Sequence, residues 1–156
     1  MRYATLVLAV VVVLVAAPAC TDFEAGKEAY DRGDYATELQ KWRPLAEQGD
    51  AEAQKYLGNM YRRGDGVPQD YQEAVRWYRL AAEQGHAGAQ AQLGLMYTKG
   101  QRVPQDYVQA HMWLSLAAAQ GDKRAPKRRD RLAKKMTPAQ LAEAQRLARE
   151  WKAKSK

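Results

Sequence analysis

The chain has 156 residues, one domain's worth, with 25 Lys and Arg against 18 Asp and Glu, one cysteine and two histidines. A single cysteine excludes an internal disulfide. Two histidines, with no Asp/Glu set at ligand spacing, give no metal site to expect, and no cofactor is expected either. The net charge of +7 is uneven: residues 1–120 hold 12 basic and 14 acidic side chains, whereas residues 121–156 hold 13 and 4.

The first segment has one positive charge at Arg2, then an apolar run from Leu6 to Ala17, ending in Ala17-Pro18-Ala19-Cys20. A charged start, a short apolar core and a small-residue finish predict a secretory signal peptide over residues 1–19, with the cut before Cys20 or before Asp22. Twelve apolar residues rise about 18 Å as a helix, against a bilayer core of about 30 Å, so the run is too short for a spanning helix. Cys20 resembles a lipoprotein acceptor, whose thiol is acylated. Pro18 and Ala17 depart from that pattern, and a plain cut without lipid fits the same residues. The expected location is the periplasm, either free or held to the membrane through Cys20.

Residues 22–49 read as a degraded helix pair, Phe23 to Arg32 and then from Tyr35, followed by Gln48-Gly49. Two features strain it. Glu38 stands where later units have Ala74 and Ala110, so either the crossing is looser or the carboxylate reaches solvent. Pro44, late in its helix, is expected to bend or fray the last turn.

The centre of the chain repeats. Residues 48–83, moved by 36, match residues 84–119 at 20 of 36 positions, including Val67-Pro68-Gln69-Asp70-Tyr71 and Val103-Pro104-Gln105-Asp106-Tyr107. A fixed period of this size predicts stacked supersecondary units, here residues 50–85 and 86–121. In each, a first helix runs from about Ala51 to Arg63, with Ala53, Leu57, Met60 and Tyr61 on one stripe. Asp50 caps its start and Gly64-Asp65-Gly66 stops it. Pro68 suits the first turn of a second helix carrying Ala74, Trp77, Tyr78 and Ala81. Gly58 with Ala74, and Gly94 with Ala110, are expected to let the two helices of a hairpin approach closely. The tryptophans at 42, 77, 113 and 151 read as core aromatics.

Residues 122–156 close the array with a basic helix and a capping helix. Thr137-Pro138-Ala139-Gln140 carries a capping box, and Leu141, Ala144, Leu147, Ala148 and Trp151 share one face. The fold class expected is all-α, an α-solenoid of antiparallel two-helix repeats.

The string from Gln48 to Ala82, with Leu57-Gly58-x-x-Tyr61, the Val67–Tyr71 loop and Trp77-x-x-x-Ala81-Ala82, resembles the Sel-like repeat (SLR), a branch of the tetratricopeptide repeats. The resemblance implies a right-handed solenoid that scaffolds protein complexes and catalyses no reaction. It also implies that first helices line the concave face. On this chain that mapping selects Lys55, Asn59, Arg62 and Arg63 from one repeat, and Ala91, Leu95, Thr98 and Lys99 from the next, as a groove for a protein or peptide segment. Some disulfide-rich secreted relatives have been linked to cell-wall compounds. This chain lacks their paired cysteines, so binding or processing of peptidoglycan fragments stands only as the alternative reading.

The remaining candidates are polar. His86 occupies the helix-start slot of Asp50 and Asp122, and His111 occupies a second-helix slot as semi-buried packing. Lys123, Arg124, Lys127, Arg128, Arg129 and Arg131 form a basic patch, read first as a solvated helix face and second as a contact for anionic lipid or acidic protein. An export signal argues against nucleic acid as a partner. No catalytic constellation is visible.

Overall fold

The computed structural model describes residues 18–100 and 103–154, and within them every regular element is a helix. In chain order these are α1 (Pro18–Arg32), α2 (Tyr35–Glu47), α3 (Ala51–Arg63), α4 (Tyr71–Glu83), α5 (Ala87–Lys99), α6 (Tyr107–Ala119), α7 (Ala125–Ala133) and α8 (Pro138–Lys154). The leader expected over residues 1–19 falls, up to residue 17, outside the described residues. Cys20 contributes backbone to the first turn of α1, and the expected modification of its side chain likewise lies outside what is described. None of the described helices is long and apolar enough to cross a membrane.

Each helix packs on the next through α7, and α8 returns to pack on α6. The two central hairpins, α3–α4 and α5–α6, repeat each other's geometry because the same residues recur. Asp50 accepts from the Ala53 amide at 2.7 Å, and His86, in the same slot, accepts from the Ala89 amide through Nδ1 at 3.2 Å. Gly64 and Gly100 end α3 and α5 in the left-handed region, at φ 80° and 63°, where a side chain would strain the turn.

The loop between hairpin helices corrects one expectation. Pro68 and Pro104 lie outside α4 and α6, which start only at Tyr71 and Tyr107. Asp70 is the true cap, extended at φ −142°, its carboxylate accepting from the Gln72 and Glu73 amides. Its own amide donates to the Tyr61 carbonyl at 2.8 Å, and Gln69 Nε2 donates to the Arg62 carbonyl at 3.0 Å. Asp106 and Gln105 do the same to Tyr97 and Thr98. The proline pentapeptide is thus a strap that satisfies the last carbonyls of the first helix before the second begins.

Glycine sets the closeness of each hairpin. A Cβ at Gly58 would stand 2.7 Å from the Tyr78 ring, and one at Gly94 would stand 2.6 Å from Leu114 Cγ and 3.1 Å from the Ala110 carbonyl. Between hairpins, two buried glutamines act as staples. Gln54 Nε2 donates to the Ala46 carbonyl and Gln90 Nε2 to the Ala82 carbonyl, filling acceptors at the ends of α2 and α4. The tryptophans at 42, 77 and 113 are buried in the core and Trp151 is half-buried. Trp42 stacks on Tyr56 with ring centroids 4.1 Å apart, and Trp113 meets Trp151 edge-on at 5.1 Å.

The first hairpin keeps its last turn at Pro44, and of the two alternatives expected at Glu38 it removes solvent access. α2 runs through Pro44 to Glu47 with its last turn formed, since the Gln48 amide donates to the Pro44 carbonyl. Glu38 does not reach solvent: it is 1% exposed, and its Oε2 has no hydrogen-bond partner. At the other end the capping box of α8 is complete. The Thr137 amide donates to Gln140 Oε1 at 2.9 Å, and the Gln140 amide to Thr137 Oγ1 at 3.2 Å.

Candidate functional site

The eight groove candidates separate into three groups. Arg62, Leu95 and Lys99 come together, lining one narrow cleft with Tyr71, Gln92 and Met96 across the seam between the two repeats. Tyr78 of α4 is wholly buried, and its hydroxyl reaches back to α3. That hydroxyl donates to Asn59 Oδ1 at 2.7 Å and accepts from Arg62 Nε at 3.2 Å. Asn59 and Arg62 are therefore both held by one buried hydroxyl.

A second group is engaged elsewhere. Arg63 donates to the Tyr30 hydroxyl at 3.3 Å and lies 3.9 Å from Asp65, so it ties the first hairpin to the second. Thr98 is half-buried, with Oγ1 donating back to the Gly94 carbonyl at 2.7 Å.

Third, the slot shared by Lys55 and Ala91 faces the following repeat. Ala91 is 3% exposed, packed with Ala125 and Leu132 of α7, and it cannot line a groove. Its expected surface role is overturned because each first helix turns this position toward the next first helix. Lys55 fills the same seam one repeat earlier. Its ammonium pairs with Glu52 and lies 3.6 Å from the centroid of the Tyr56 ring.

That seam holds an ion-pair cluster with no signal in sequence spacing. His86 Nε2 meets Glu52 Oε2 at 2.5 Å across 34 residues. Nδ1 accepts the Ala89 amide, which assigns the ring proton to Nε2 and makes it the donor to Glu52. The His86 bond, with Lys55 adding to it, holds the Glu52 carboxyl down at about 2 against its burial. His111 is buried and 3.4 Å from Ser115 Oγ, and burial lowers its pKa.

The basic patch lies on and just before α7. Lys123, Arg124, Lys127 and Arg131 are exposed, while Arg128 and Arg129 are half-buried. Arg129 is occupied by Asp130 at 2.8 Å. No acidic residue stands in the first turn of α7, whose amides at Arg124 and Ala125 are satisfied by Asp122. Among the described residues no cluster of His, Cys, Asp or Glu has the makings of a metal site.

The Sel1 repeat family model matches residues 51–86 and 87–122. Among solved structures, the chain is similar to a protective antigen of uropathogenic Escherichia coli that displays an SLR fold, at 34% identity and a TM-score of 0.81. The match covers 85% of this chain and 29% of that one. It is also similar to a Sel1 repeat protein from Oxalobacter formigenes, at 36% identity and a TM-score of 0.62, covering 69% of this chain and 45% of that one. The chain thus spans less than half the length of either. No curated protein matches it. Sel1-repeat proteins are ordinarily protein-interaction scaffolds, and their fold is ordinarily non-catalytic. With two tandem repeats matched, 36 residues apart and packed hairpin on hairpin, residues 51–122 of this chain are a pair of Sel1-like (SLR) repeats.

Proposed function

We propose that the chain is a non-enzymatic adaptor of the bacterial cell envelope that grips a protein segment in the cleft between its two repeats. The observation that carries this reading is the convergence of Arg62, Leu95 and Lys99, from two repeats, around one cleft, with Arg62 held by the buried Tyr78 hydroxyl. Two cations beside an apolar surface suit a segment presenting a carboxylate next to an aliphatic or aromatic side chain. The repeats differ at these positions while their packing residues agree, as expected when the stack is a constant frame and its surface is variable.

The test is cross-linking of the tagged protein in its native envelope, comparing wild type with the Arg62→Glu/Lys99→Glu pair. A stoichiometric protein partner should be captured by the wild type and lost from the reversal variant. Capture that is indifferent to the reversal, or retention of muropeptides with no protein partner, would overturn the proposal. Export itself is tested by fractionation. Loss of radiolabelled fatty acid on Cys20→Ala marks a lipoprotein, and unchanged labelling removes that option.

A further inference from the structure

The period that builds the core also builds two equivalent grooves on the side of the second helices, and among the described residues only one of them is walled by a further helix, α8. Between α4 and α6 the groove is bordered by Glu83, Gly85, Gln90 and Leu116 together with Trp151, Lys152 and Lys154 of α8. One repeat earlier, between α2 and α4, the same positions are Glu47, Gly49, Gln54 and Leu80, and nothing among the described residues takes the place of α8. The effect on the shared leucine is plain: Leu116 is 3% exposed and Leu80 is 37% exposed. Trp113 at the covered site meets the ring of Trp151, whereas Trp77, its counterpart, has an indole N–H with no acceptor.

We infer that the groove between α2 and α4 docks a helix from a partner protein with the chemistry of α8: an apolar stripe closing on an aromatic residue, followed by lysines. The groove walled by α8 shows what packs beside this surface. Ala144 and Ala148 of α8 are buried, Leu147 and Trp151 pack into the core beside Leu116, and Lys152 and Lys154 border the same groove as Glu83. The groove between α2 and α4 offers Glu47 in the position of Glu83, and Glu83 itself on its far wall, so a lysine-bearing end meets two carboxylates. A second copy of this chain is the poorer occupant. Its own α8 is committed to α6, and lending it out would uncover Leu116 and Trp113. Arg76 also borders this groove, its charge paired with Glu73 at 3.2 Å and its guanidinium 4.9 Å from the Trp77 ring centroid. This site is independent of the cleft at Arg62 and Lys99, which the first helices build.

The experiment uses a fluorescein-labelled peptide of residues 138–154 as the probe, titrated with the full chain and read by anisotropy. Saturable binding is expected, at least tenfold weaker to Leu80→Glu and to Glu47→Lys. Both substitutions fall on exposed positions, so circular dichroism should be unchanged. A peptide with Lys152→Glu and Lys154→Glu should recover affinity for Glu47→Lys. As a second readout, a benzophenone placed at the Trp151 position of the peptide should cross-link to α2 or α4. Absence of binding, binding indifferent to Leu80→Glu, or cross-links confined to α6 (exchange with the resident α8) would each overturn the inference. So would concentration-dependent dimerisation of the chain that Leu80→Glu abolishes, because it would make a second copy the occupant.

Discussion

Replacing Glu38 by glutamine should remove a pH dependence built into the first hairpin. Burial, followed by the Asp65 carboxylate, raises the Glu38 carboxyl from 4.5 to about 7, and Arg63 opposes them. Between those two values the folded chain holds a proton that the unfolded chain has released, so stability falls as pH rises. The favourable contribution is complete below about 4.5 and is lost through about 7. The interval is worth about 3 kcal/mol at roughly 1.4 kcal/mol per pH unit, an order-of-magnitude figure. The side chain is 1% exposed, so solvent screening takes little from it. Urea unfolding of wild type and Glu38→Gln at pH 4.5 and pH 8 gives the measurement. The variant should gain about 3 kcal/mol on the wild type between the two conditions, with equal denaturant slopes. Because stacked repeats can open one hairpin at a time, amide exchange in α1 and α2 should show the same gain locally. Parallel stability profiles for the two proteins would refute the reasoning, since they would mean that Glu38 ionises freely in the folded state.

Gly94→Ala should destabilise by about 1–2 kcal/mol in thermal or urea unfolding, because the overpacking cost of its Cβ against Leu114 and the Ala110 carbonyl exceeds the gain of about 1 kcal/mol in helix propensity. His86→Asp keeps a capping oxygen, as Asp50 shows, but sets a carboxylate against Glu52. It should cost about 1 kcal/mol at pH 7, most of which His86→Asn restores, by urea titration. The low Glu52 value carries its own sign: its contribution is present above 4.5 and fades as pH falls toward about 2, a fall that Glu52→Gln should abolish in acid-unfolding curves. Thr137→Ala should loosen the start of α8 by about 1 kcal/mol, visible as faster amide exchange at Gln140 and Leu141.

The fold was legible because its determinants are local and duplicated. The Asp50 and His86 caps, the Gly64 and Gly100 stops around α3 and α5, and the capping box of α8 all act within a few residues, and each did what the sequence pattern implied. Pro68 misled because proline is compatible with a helix's first turn but does not require one. Asp70, two residues on, is the stronger cap, and its amide was already drawn to Tyr61. Glu38 left two alternatives open for a related reason: periodicity marks a position as inward but cannot say whether solvent reaches it. The groove was only half visible. Variation between repeats points to Asn59, Arg62, Leu95 and Lys99, but it equally flags Lys55 and Ala91, which differ because they meet different neighbours. The pairing of His86 with Glu52 depends on how one hairpin seats against the next, which no spacing within a repeat records.

The buried slot beneath the cleft changes in step with what lies above it. Tyr78, under Asn59 and Arg62, becomes Leu114 in the next repeat, where those two positions are Leu95 and Thr98. The leucine offers no hydroxyl, Leu95 needs none, and Thr98 turns to its own helix for an acceptor. The surface pair and the buried residue beneath it therefore change together. A designer who transplanted Asn59 and Arg62 into the second repeat without converting Leu114 to tyrosine would leave both side chains unanchored, so retargeting such an array means exchanging whole three-residue cassettes.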